Sequence, residues 1–230
     1  MNPGNRKIYP PEIKAAHDAK EKYVVDFLIT ATDELSRGFA KNNEGHEFLP
    51  DRAKLVLCFT IMDVLAGFWE KYNDRTYASS SQKAQFFDWA NKFCLTAHNK
   101  AYAKTMMLQA LTIENLYDLR CSIVHAYCLP EKREDTHMGI LPNESSDEYI
   151  ESFAKKLSEK GGGKDIMLKP DYIHSMVMDG AELMLKEMVH QIESNPDFHI
   201  EGVERIYQEL QRRGAASIKL NKDMIKKPLK

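Results

Sequence analysis

Arg120 and His125 stand five positions apart in LYDLRCSIVHAY (residues 116–127), a segment that is otherwise largely apolar. A guanidinium is a permanent cation whose planar fork of donors matches a phosphate or a carboxylate. An imidazole exchanges its proton near neutral pH and so serves as a general acid or base. Helical geometry works against a simple pairing of the two. At about 100° per residue, Arg120 shares a face with Ile113, Leu116, Ile123, Val124 and Tyr127, while His125 lies about 140° away beside Glu114, Asp118 and Cys121. To meet, they need the long arginine to reach around the helix, a distorted last turn, or a second copy of the helix facing the first across a symmetric dimer.

A second charge bears on the same segment. Asp63 is the only charged residue in the apolar run 55–69, and Arg120 is the charge on the most apolar face of its own helix. Two isolated opposite charges in one core are expected to pair, making Asp63 a structural partner of the arginine. On that account alone His125 would be a helix-end histidine bonding a terminal carbonyl. The structural and chemical readings are compatible, because a carboxylate can also hold a working arginine in place.

LYDLRCSIVHAY resembles the signature of the HEPN superfamily (higher eukaryotes and prokaryotes nucleotide-binding domains), an Arg followed by four to six residues and a His on a late helix of an all-α bundle. The context is similar too: an Asp-bearing apolar helix (IMDVLAGFW), then an aromatic helix, then the helix with Arg and His, covering about residues 20–195 loosely and 116–127 sharply. The resemblance implies a metal-independent endoribonuclease that leaves a 2′,3′-cyclic phosphate, without a cofactor. It also implies a homodimer with a composite cleft, in a bacterial defence or toxin-like setting that brings in an antitoxin or other protein partner. At RNA, Arg120 would hold the scissile phosphate and stabilise the extra charge of the transition state, while His125 would move a proton to or from the reacting oxygens. The place of His125 in the final turn before Pro130, at the negative end of the helix dipole, suits a general acid. Tyr117, Ser122 and Tyr127 are candidate substrate-binding neighbours for stacking or hydrogen bonding. One departure favours the alternative of a catalytically silent dimeric module that binds nucleotide, RNA or a protein partner: Cys121 follows the arginine where many members carry Asn, Asp or His.

The elements that must position these residues read as helices. Pro10 and Pro11 suit a helix entry, and Glu12 to about Lys41 carries Tyr23, Phe27, Leu28, Leu35 and Phe39 before Asn42, Asn43 and Gly45. Arg52 to Tyr72 is apolar nearly all round, the pattern of a helix at the centre of a core. Gln82 to His98 gives an aromatic helix, and Thr105 to Leu129 the helix that bears Arg120, stopped by Pro130. A charged, irregular stretch to about Ser145 and a shorter helix follow. Gly161–Gly163 before Lys164 has the wrong spacing and sequel for a phosphate loop, with no strand preceding it, and reads as a hinge. Beyond Pro170, Ile173, Met176, Val177, Gly180, Met184, Met188 and Ile192 form a Met-rich core stripe, and a last helix spans Ile200 to Arg213.

These segments predict an all-α fold, a single up-and-down-type bundle of about six to seven helices over residues 1–213, with 214–230 as a basic tail. The 230 residues, 43 % hydrophobic and 29 % charged, are ordinary for a globular domain and exclude disordered and collagen-like classes. The net charge of −2 is uneven: seven Lys or Arg stand against Asp223 alone from residue 212 onward, leaving a mildly acidic body. The beginning of the chain has no secretory signature and its longest apolar stretch, Leu55 to Trp69, is too short for a bilayer, so a cytoplasmic protein without membrane contact is expected. Cys58, Cys94, Cys121 and Cys128 lack metal-ligand spacing, and His98, His174, His190 and His199 lack zincin spacing, so no metal site is predicted.

Overall fold

The computed structural model describes residues 11–40, 49–73, 81–96, 111–126, 136–142, 145–146 and 164–225, together with seven positions between 148 and 159. Among the described residues its body is an all-α bundle of six helices: α1 (Pro11–Gly38), α2 (Asp51–Tyr72), α3 (Gln82–Trp89), α4 (Ile113–Ala126), α5 (Pro170–Ser194) and α6 (Pro196–Ile225). Among the described residues, no helix is long and apolar enough to cross a membrane.

The nearly all-round apolar sequence of α2 makes it the hub, packed against each of the other five helices. Leu55, Phe59, Met62, Leu65, Phe68 and Tyr72 are all buried. The Met-rich stripe of α5 lies in the same core, with Ile173, Met176, Val177, Met184 and Met188 buried, while Ile192 at its end is exposed. Trp89 directs its indole N–H at the Met184 sulfur over 3.2 Å, the type of sulfur–aromatic contact for which methionine is suited. On α1, Leu28 and Leu35 are buried; Tyr23 and Phe27 are more exposed and set ring edges against Tyr207 and Phe68.

Several boundaries differ from the sequence reading. The described helix of Arg120 begins at Ile113, where Thr112 caps it: its hydroxyl accepts from the Asn115 N–H at 3.2 Å and its carbonyl from the Leu116 N–H at 3.0 Å, while the expected limits Thr105 and Leu129 lie outside the described residues. Helix α3 opens into a π-turn at Ala90–Cys94, with Phe93 and Cys94 buried. The final helix runs from Pro196 through Arg213 and Gly214 to Ile225, so the backbone has no break where the basic tail is expected to begin. A helical glycine costs about 1 kcal/mol, which the following Ala215 and Ala216 help to offset.

Two short strands lie where the sequence reading placed none. Lys164–Leu168, directly after it, is strand β2, and Thr136–Ile140, inside the stretch read as irregular, is strand β1. They pair in parallel with Thr136 opposite Lys164 and Ile140 opposite Leu168. A parallel pair needs a long crossover, and helical residues between the strands, such as Tyr149 and Phe153 with rings stacked at 6.0 Å, supply part of it. The glycines themselves, Tyr127, His98, Cys128 and Pro130 lie outside the described residues.

Candidate active site on the Arg120 helix

Ile113, Leu116, Leu119 and Ile123 anchor α4 in the core, and the same face carries Arg120, only 3 % exposed. Its counter-charge is Asp63 on α2. The arginine Nε donates to Asp63 Oδ1 at 3.3 Å and Oδ2 at 3.2 Å, and Nη2 donates to Oδ2 at 2.5 Å. Burial works against the guanidinium charge, but the hydrogen bonds and charge of Asp63 outweigh it and hold Arg120 above its usual range. The charge pair expected from the sequence is therefore formed, in a side-on geometry that occupies the Nε and Nη2 edge.

The remaining nitrogen, Nη1, lies 3.0 Å from His125 Nε2. The separation of about 140° around the helix is bridged within one chain by the reach of the arginine side chain, the first of the three routes open to the pair. A guanidinium can only donate, so His125 Nε2 accepts, and its ring hydrogen sits on Nδ1. His125 itself is exposed at the last described turn of α4. The three residues thus run from inside to outside as carboxylate, guanidinium and imidazole.

Around them, Cys121 Sγ is 3.9 Å from Arg120 Nη1, and the Tyr117 ring lies 5.8 Å from the guanidinium carbon. Burial and a hydrogen bond to Cys121 push the Tyr117 phenol upward, so it remains a neutral donor at ordinary pH. Tyr117 is wedged edge-on between Phe86 and Phe87 of α3. Ser122 is half-buried, one turn before His125, and Tyr127 lies outside the described residues. The structure thus brings Asp63, Tyr117, Arg120 and His125 to one place.

Two neighbours were not anticipated from the sequence. Lys83 holds its ammonium 5.5 Å from the centre of the Tyr117 ring, and Gln82 donates to Asp63 Oδ2 at 3.4 Å. Both lie in the first turn of α3, which Ser81 starts by accepting from the Ala84 N–H at 3.3 Å. The Ser81 cap was a legible signal for that turn, but its proximity to α4 is a tertiary fact.

Comparison with protein-family models, curated proteins and solved structures gives no match for this chain.

Proposed function

We propose that this protein is a metal-independent endoribonuclease of the HEPN type, with Arg120 and His125 as its catalytic pair and Asp63 as the group that positions the arginine. The supporting observation is the 3.0 Å contact between Arg120 Nη1 and Nε2 of an exposed histidine. In the resting site the arginine occupies the imidazole lone pair. A phosphate competing for Nη1 frees that lone pair where a base is needed. The 2′-hydroxyl proton then passes to Nε2, the 2′-oxygen bonds phosphorus, and the bond from phosphorus to the 5′-oxygen breaks. The products are a 2′,3′-cyclic phosphate and a 5′-hydroxyl, the latter protonated from solvent. Exposed Lys83 adds a phosphate contact at the rim, and Tyr117 and Ser122 line the approach.

The homodimer, cytoplasmic setting and toxin-like pairing with an antitoxin or other partner belong to this proposal. Arg120 and His125 already meet in one chain, so a second copy would extend the RNA surface instead of completing the pair.

A second reading, a silent module that binds RNA, nucleotide or a protein partner, draws support from the burial of Arg120 and the commitment of its Nε and Nη2 to Asp63. The two readings separate on purified protein incubated with mixed RNA in EDTA. The nuclease predicts fragments ending in 2′,3′-cyclic phosphate that fall at least about a hundredfold with His125→Ala. No fragments, or equal cleavage by both proteins, removes it; retained RNA or nucleotide binding would then favour the silent module.

A further inference from the structure

Apart from the Arg120 site, the first and last helices bring together two imidazoles and a carboxylate. His17 and Glu21 are one turn apart on α1, with His17 Nε2 3.7 Å from Glu21 Oε2. His199, in the first turns of α6 and 3 % exposed, places its Nε2 3.2 Å from Glu21 Oε1. One ligand atom from each residue falls within 4.8 Å of the others, and the two imidazole rings stand perpendicular with centroids 6.2 Å apart. We propose that His17, Glu21 and His199 bind a divalent transition metal of the zinc class, tying α1 to α6.

The spacing suits such an ion. Nitrogen and oxygen donors at about 2.0–2.2 Å from a tetrahedral centre stand roughly 3.3–3.5 Å from each other. His199 Nε2 lies 3.2 Å from Oε1 and His17 Nε2 3.7 Å from Oε2 of the same Glu21 carboxylate, each close to that range, so both imidazoles face the carboxylate at ligand spacing. The donor set is equally telling. Two imidazoles with one carboxylate favour zinc, cobalt, nickel or copper over calcium and magnesium, which prefer all-oxygen sites. Three protein ligands leave a fourth position to water.

The outer support of a ligand histidine is also present. Tyr72, buried at the end of α2, lies with its hydroxyl 2.9 Å from His199 Nδ1. With the site empty, His199 donates from Nε2 to Glu21 and accepts at Nδ1 from Tyr72. Metal binding at Nε2 moves the ring hydrogen to Nδ1, which then donates to the Tyr72 oxygen. That bond holds the ring in its ligating orientation.

The test uses the full, untagged chain stripped with chelator and then dialysed free of it. Calorimetric titration with Zn2+ is expected to give one equivalent per chain and a higher melting temperature. Co2+ is expected to produce the visible absorption of a tetrahedral or five-coordinate site. His17→Gln, at the outer edge of the cluster, should weaken Zn2+ at least tenfold, whereas His190→Ala, on the exposed face of α5, should leave it unchanged. Glu21→Gln provides a second ligand variant should one fold poorly. Absence of a stoichiometric site in the wild type, or equal affinity in the wild type and both ligand variants, overturns the proposal.

Discussion

Asp63 shows how a single carboxylate holds a buried cation in place. Its partner Arg120 is 3 % exposed, so removing the carboxylate would leave a buried cation beside a histidine nitrogen and a thiol. Breaking a buried pair from one side is far more damaging than replacing both members, because the unpaired charge retains its desolvation cost. Asp63→Ala is expected to lose about 3 kcal/mol in urea denaturation, and Asp63→Ala with Arg120→Met to recover part of it. An equal or greater loss in the double variant would show that the arginine is not held as a charge. The pair was legible in the sequence because each residue is an isolated charge on an apolar face. The meeting of Arg120 with His125 was not, since positions five apart diverge around a helix and only the length and rotamer of the arginine close the gap. Nor was the cluster of His17, Glu21 and His199 legible: the spacing of the first two is ordinary for an exposed helix face, and the third comes from the far end of the chain.

At the level of elements, glycines report how closely the helices approach. Gly202 lies where α6 crosses the end of α2: a Cβ there would stand 2.5 Å from Tyr72 Cδ2 and 2.9 Å from the Tyr72 carbonyl oxygen. The same crossing lets Arg205 donate to the carbonyls of Lys71 at 2.8 Å and Tyr72 at 2.6 Å, satisfying the open end of α2. Gly202→Ala is expected to cost about 1–3 kcal/mol, since backbone as well as a ring must shift. At Gly67, inside α2, an added Cβ would meet nothing within 4 Å, so Gly67→Ala should gain about 0.5–1 kcal/mol from the unfolded chain's lost freedom. Thermal melts of the two variants check both signs. The long helices were legible from apolar periodicity and their proline or asparagine limits. The strands were not: each has only five residues, β1 after the charged run 131–135 with Gly139 inside it and β2 directly after the glycine triplet, and a parallel pair depends on a partner 28 positions away rather than on a neighbouring turn.

For the molecule as a whole, buried His199 and half-buried His174 are expected to shape the response to acid. Burial lowers His174, whose ring stacks on Phe39 at 4.3 Å, and His199, despite the opposing pull of Asp171 on the first and Glu21 on the second. An unfolded histidine takes up its proton near pH 6.5. Between that value and the lower folded ones, the unfolded chain binds more protons, so stability rises with pH. Denaturation midpoints should therefore be level above about pH 7.5 and fall as pH drops through 6.5, with a shallower fall in His174→Phe. A slope unchanged by that substitution would place the acid sensitivity elsewhere.

The wide turn at Ala90–Cys94 has a genealogical consequence. A π-turn spends one residue more than an α-turn on nearly the same advance, so a relative lacking that residue could keep Phe86 and Trp89 on the buried side while the helix returned to its common form. Any future alignment of kindred chains should allow a single gap there, and should not count the mismatch as divergence.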